Sequence, residues 1–133
     1  MKYFLDTNVI IDAIKNKSPC LRQHFEETYT TDIFVSSIVV AELEFGAAHS
    51  NDYSRNKALY EQFIKDFAIV PFEKQYCTPY GELRHYLTKS GQVIGLNDML
   101  IAATAIANGG ILVTHNTAEF ERIPKIQLAD WTK

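Results

Sequence analysis

The sequence is poor in the features that mark disulfide scaffolds, zinc modules and membrane proteins. It holds two cysteines in 133 residues. Cys20 and Cys77 form no CxxC pair and no Cys/His ladder, which argues against a structural disulfide or a zinc site and favours reduced thiols. No HExxH spacing joins His24, His49, His85 or His115, so each is expected on the surface or against a partner. His115 stands apart, because beside Thr114 it is a candidate for positioning a phosphate. Long apolar runs are missing too: Met99 to Ala107 falls far short of the roughly 18 residues a membrane span needs, and no basic-then-apolar secretion signal opens the chain. No membrane association and a cytoplasmic location are expected. No stretch rich in Pro, Gly or Ser and no internal repeat appears, so residues 1–133 are expected to form a single domain. An excess of basic charge is also absent. With a net charge of -3, any contact with nucleic acid must come from local groups such as Lys15, Lys17 and Arg22, or Arg84 and Lys89, which otherwise read as solvated surface.

What is present is a globular composition, 47% hydrophobic and 22% charged, in a chain long enough to bury about two thirds of its unfolded surface. Lys2 to Leu5 reads as a strand that runs into the capping cluster Asp6-Thr7-Asn8 and a helix over Val9 to Lys15. Pro19 suits the first turn of a helix to about Tyr29, and Ile33 to Val35 reads as a buried strand. Ser36-Ser37 caps a helix over Ile38 to Ala48, whose apolar face is assigned to Val39, Leu43 and Gly46. Leu59, Phe63 and Phe67 mark a helix from about Tyr53 to Asp66, and Ile69-Val70 a short strand. A helix over Glu73 to Lys89 follows, then one capped by Asn97 and apolar nearly all round from Met99 to Ala107, stopped by Gly109-Gly110. Ile111 to Val113 is a strand, and Ile126 to Leu128 a last edge strand. Alternating strands and helices predict an α/β fold: a short central parallel sheet with right-handed crossovers, flanked by helices on both faces.

Three acids occupy equivalent places in that pattern. Asp6 follows the first strand, Glu42 lies early in the helix after the second, and Asp98 opens the buried helix. Such helix starts gather at the carboxyl ends of the strands, where α/β proteins bind ligands. Alone, Asp6 would read as a helix cap, Glu42 as a solvated helix residue and Asp98 as a first-turn acid. Together they pose an electrostatic problem. Two carboxylates about 4 Å apart repel by about 4 kcal/mol at an effective dielectric of 20, and helix N-termini return only about 0.3 to 1 kcal/mol each. No Lys or Arg adjoins any of the three, so a divalent cation is the natural partner. All-oxygen ligation favours Mg²⁺ or Mn²⁺ over zinc. Such a site suits phosphodiester hydrolysis, with Thr7, Asn8, Thr114 and Asn116 as polar groups to orient the metal's waters or the substrate. Glu119, one turn beyond Asn116, is a candidate to complete the acidic set. Asp12, Asp32, Glu44, Asp52 and Asp66 are left as surface acids, and Phe63, Phe67, Phe72, Tyr76 and Tyr80 as core or partner-facing surface.

The strings FLDTN at Phe4 to Asn8, VVAEL at Val39 to Leu43, LNDMLIAATA at Leu96 to Ala105 and LVTHNTAEF at Leu112 to Phe120 together resemble PIN domains in order and spacing. More narrowly they resemble VapC-type toxins, the ribonuclease half of bacterial toxin-antitoxin pairs. The resemblance implies a Mg²⁺- or Mn²⁺-dependent endoribonuclease with Asp6, Glu42 and Asp98 as metal ligands, beside Thr114 and the Asn116 to Glu119 segment. It also implies a homodimer and a cognate VapB-type antitoxin covering the active-site groove, with operator DNA met only through that complex. Transfer RNA, cut at the anticodon stem-loop, is the substrate it suggests. In many relatives a fourth acid stands where this chain has Asn116. Two other functions compete. A phosphatase of the haloacid dehalogenase type needs a second Asp two residues after the first, where Asn8 stands. A PIN-like module that binds without cutting would not need the acids intact.

Overall fold

The computed structural model describes residues 1–133. Strand β1 (Tyr3–Leu5) lies in the middle of the sheet, and Phe4 and Leu5 are both buried although successive strand residues face opposite ways. Both faces of the sheet are therefore covered, as a parallel sheet requires. The chain continues through α1 (Thr7–Ile14), α2 (Pro19–Glu27), β2 (Ile33–Ser36), α3 (Ser37–Ala48), α4 (Tyr53–Ile64) and β3 (Ala68–Val70). The second half supplies α5 (Cys77–Ser90), α6 (Leu96–Ala107), β4 (Ile111–Val113), α7 (Thr117–Phe120) and β5 (Leu128–Ala129). All pairings are parallel, in the order β3-β2-β1-β4-β5. The chain fills one side of β1 before crossing to the other for β4 and β5. The topological switch point thus lies between β1 and β4, and the crevice beyond their carboxyl ends is where ligands of such sheets bind.

The α/β class and the sheet flanked by helices are as expected. One core cluster of 25 buried residues joins β1, β2 and β4 to the helices. Helix α6 is its axis: Met99, Ile101, Ala102, Ala103, Thr104 and Ala105 are all buried. Ser36 caps α3 as expected, its Oγ accepting from Ile38 N at 3.1 Å, and Ser18 caps α2, its Oγ accepting from Leu21 N at 3.2 Å. No helix is long and apolar enough to cross a membrane.

Several boundaries differ from the sequence reading, for identifiable reasons. The helix expected over Glu73 to Lys89 is split into a 3₁₀ turn, Lys74–Tyr76, and α5 from Cys77. Pro79 explains the split. A continuous helix would put its ring against the carbonyl of Gln75, whereas a start at Cys77 leaves it in the first turn, where no N–H is needed. Helix α6 begins at Leu96 behind Gly95, so Asn97 lies inside the helix and caps nothing. On α3 the third buried position is Ala47 and Gly46 is exposed, the four-residue step from Leu43 having won over the three-residue one. The last strand sits at Leu128–Ala129, where Leu112 N donates to Gln127 O at 2.8 Å and Thr114 N to Ala129 O at 3.0 Å.

Glu44, expected as a plain surface acid, clasps α3 to α4. It accepts from the hydroxyls of Tyr53 and Tyr60 and from Lys57 Nζ, the last at 3.0 Å. Those hydrogen bonds, Tyr53's first, hold its carboxyl down at about 2. A second close approach occurs at Gly110, where a Cβ would stand 2.6 Å from the Phe4 ring and 3.2 Å from the Lys2 carbonyl. Gly110→Ala should therefore cost about 1 to 3 kcal/mol through overpacking. Urea denaturation reads this as a lower midpoint, and an unchanged midpoint would contradict the packing.

Candidate active site

Asp6 stands at the carboxyl end of β1, on the switch point, and is buried to 6% exposure. Each of its two oxygens accepts one directed bond and keeps a lone pair free. Thr7 N donates to Oδ1 at 2.8 Å, closing the cap of α1, and Thr114 Oγ1 donates to Oδ2 at 2.8 Å from the end of the neighbouring strand β4. The parallel register that sets Leu5 beside Val113 makes the second bond possible. Burial pushes the Asp6 carboxyl up, Thr114 and the Thr7 amide pull it back, and the charges of Glu42 and Glu119 push it up again, leaving it above the ordinary value.

Glu42 arrives from the second turn of α3, half-buried. Thr7 Oγ1 donates to its Oε1 at 2.5 Å and Asn97 Nδ2 to its Oε2 at 3.4 Å. One threonine thus serves two acids, its amide holding Asp6 and its hydroxyl holding Glu42. Asp98 is the third residue of α6, half-buried beside Gly95, and its carboxyl is pushed up to about 7. Burial is the largest cause; the charges of Asp6, Glu119 and Glu42 add to it, with a hydrogen bond to Glu119 that favours the protonated form. Glu119 lies in the single turn of α7 and accepts from the Asn116 side-chain amide, while Asn116 N donates to Thr114 Oγ1 at 3.0 Å.

The structure therefore brings Asp6, Glu42, Asp98 and Glu119 from four elements to one place, tied together by Thr7, Thr114 and Asn116. Asn8 is exposed and takes no part in that network. Asn97 does take part, where sequence alone made it a cap. No Lys, Arg or His is paired with any of the four acids: the ion pairs are Lys17–Asp12 and Lys57–Glu44, and His115 meets Asp130 through a hydrogen bond. An uncompensated group of carboxylates, one of them raised by burial first and by its acidic neighbours second, fits a divalent cation. The oxygen-only donor set suits a hard ion. No three His, Cys, Asp or Glu side chains close on a common point as a ready-made cage. Mg²⁺ commonly keeps several waters and takes one or two carboxylates directly, which such a spacing allows.

Comparison with known proteins identifies the family. The PIN domain model matches residues 3–126. Ribonuclease VapC2 of Rickettsia felis is 41% identical over 135 residues, covering 100% of both chains. The tRNA(fMet)-specific endonuclease VapC of Salmonella typhimurium is 38% identical over 131 residues, covering 98% of each. In the crystal structure of VapBC2 from Rickettsia felis bound to a promoter DNA fragment, the matching chain superposes with a TM-score of 0.92 at 38% identity, over 98% of this chain and 99% of that one. With the fold, the family model and full-length similarity in agreement, the chain belongs to the PIN-domain family, on its VapC branch.

Proposed function

We propose that the protein is a Mg²⁺- or Mn²⁺-dependent endoribonuclease, the toxin of a toxin-antitoxin pair, which hydrolyses RNA phosphodiester bonds and so blocks translation in the cytoplasm. The observation that carries this reading is the four-carboxylate cluster with no cationic side chain to balance it. Asp6 and Asp98 are the residues to touch the ion, with Glu42 and Glu119 acting directly or through water. When bound, the ion would lower the pKa of a water and neutralise charge on the phosphate.

The protein's own groups do the rest. Thr7 and Thr114 fix the Asp6 carboxylate on both oxygens, so no reorientation is needed when substrate arrives. Thr7 and Asn97 fix Glu42 in the same way. Asp98, its carboxyl raised to about 7 by burial and by the neighbouring acids, can take up or release a proton near neutral pH during turnover. Asn116 holds Glu119 through its side-chain amide and so leaves the acidic role to that residue.

The Salmonella relative's name specifies tRNA(fMet), and we propose the same substrate class here, with cleavage at the anticodon stem-loop. The Rickettsia complex, VapBC2 bound to a fragment of its promoter, supports a VapB-type antitoxin as partner and operator DNA met through that complex; a homodimeric toxin is part of the same proposal. Purified protein with Mn²⁺ or Mg²⁺ should cut initiator tRNA, and excess EDTA should abolish cutting. Adding the product of the neighbouring antitoxin frame should abolish it too. Intact tRNA with the metal present, or undiminished cleavage in EDTA, would overturn the reading.

A further inference from the structure

Beside the acid cluster, on the same edge of the sheet, lies a group of side chains that the proposed chemistry does not use. His115 follows Thr114 at the end of β4, and its ring faces Asp130 and Thr132 behind the adjacent strand β5. Its Nδ1 stands 3.1 Å from Asp130 Oδ2 and 3.1 Å from Thr132 Oγ1. The ring is 68% exposed while Asp130 is only 12% exposed. The other carboxylate oxygen, Asp130 Oδ1, accepts from Thr132 N at 2.9 Å and from the Thr132 hydroxyl at 2.5 Å.

These contacts decide which ring nitrogen carries the proton. Burial pushes the Asp130 carboxyl up, but the hydrogen bonds from Thr132 and His115 outweigh it and hold the group below its usual value, so it is an ionised acceptor. The single hydroxyl proton of Thr132 is committed to Asp130, so that oxygen offers His115 only lone pairs. Both neighbours of Nδ1 are acceptors, and Nδ1 must therefore be the donor. In the neutral ring Nε2 is then a bare acceptor, and no protein group uses it.

The position of that acceptor is set by its neighbours in the chain. Thr114 donates to Asp6 and Asn116 to Glu119, and successive Cα atoms lie only about 3.8 Å apart. The ring therefore stands at the rim of the acid cluster on its β5 side, where a strand leaving the acids in that direction would meet it. A phosphodiester offers acceptors only, which a lone pair repels. The backbone group that can donate is the ribose 2′-hydroxyl, which DNA lacks.

We propose that His115 reads the sugar: Nε2 accepts the 2′-hydroxyl proton of a nucleotide adjoining the cut, and Asp130 with Thr132 holds the ring in the tautomer that makes this possible. The inference rests on the ribonuclease reading above and deepens it to discrimination between RNA and DNA. The test uses a short RNA bearing the cut site, with Mn²⁺, and a set of strands each carrying one 2′-deoxy nucleotide. In the wild type one deoxy position should lower kcat/KM about tenfold, the scale of a single hydrogen bond. His115→Ala should lose about tenfold on the all-ribose strand and nothing further at that deoxy position. His115→Gln, which returns a carbonyl acceptor near the place of Nε2, should restore part of the sensitivity. Full activity of His115→Ala overturns the proposal, as does a loss that simply adds to every deoxy effect, the pattern of a phosphate or structural role. A wild type that leaves the all-ribose strand intact overturns the nuclease reading, and this one falls with it.

Discussion

Asp98→Asn is expected to abolish RNA cleavage, by on the order of a thousandfold or more, and to leave a folded protein that is more stable than the wild type when metal is absent. The loss follows from the place of Asp98 among the carboxylates, since a neutral amide contributes neither ionic attraction for a cation nor a titratable proton. The gain in stability follows from the sign of its shift. A carboxyl raised from 3.8 to about 7 binds its proton more tightly in the folded chain than in the unfolded one. The stabilisation it gives is complete below pH 3.8 and is lost as pH rises through about 7. At pH 8 the ionised wild type therefore carries a penalty that asparagine removes. The group is half-exposed, so solvent screening reduces the effect to about 1 to 2 kcal/mol, or roughly 3 to 6 °C in Tm. Thermal unfolding in EDTA at pH 5 and pH 8 measures it: the two proteins should differ more at pH 8. Wild-type cleavage by the variant would remove Asp98 from the mechanism, and a less stable variant at pH 8 would remove the electrostatic account.

How far the sequence discloses this site depends on how local the cause is. Asp6 and Asp98 were legible because a strand end followed by a cap, and an acid opening an all-apolar helix, are patterns within a few residues. Glu42 was legible because a charge among Val39, Val40 and Leu43 needs a partner. The roles of Asn97 and Asp130 were not, because each depends on what another part of the chain brings alongside. Asn97 looks like a cap until α3 is placed opposite and Glu42 takes its amide. Asp130 meets His115 only through the β4–β5 register, in a strand at Leu128–Ala129 where Ile126 to Leu128 was expected. Trp131 is similar: it packs on Tyr3, His24 and Phe25, three contacts more than a hundred residues away in sequence. The split before α5, by contrast, was written in Pro79 and was available to a stricter reading of what proline permits.

Cation binding offers the second large effect, because the same repulsion that destabilises the empty cluster is what a divalent ion relieves. Mn²⁺ at a hundred times its dissociation constant should stabilise the fold by about 2.7 kcal/mol, roughly 8 to 12 °C in Tm for a chain of this size. The ion competes with the proton on Asp98, whose carboxyl stands at about 7, so the shift at a fixed Mn²⁺ concentration should be large at pH 8 and small at pH 5.5. Asp6→Asn and Asp98→Asn should each lose most of it. Thr114→Val should lose part, because Asp6 then keeps its charge but not the hydroxyl that aims it. Calcium, with its longer bonds and preference for more ligands, should be the poorer stabiliser in a cluster whose acids are already held by hydrogen bonds. A Tm that ignores Mn²⁺ at both pH values would mean that the acids balance their charge by protonation alone, and that the cluster holds no metal at all.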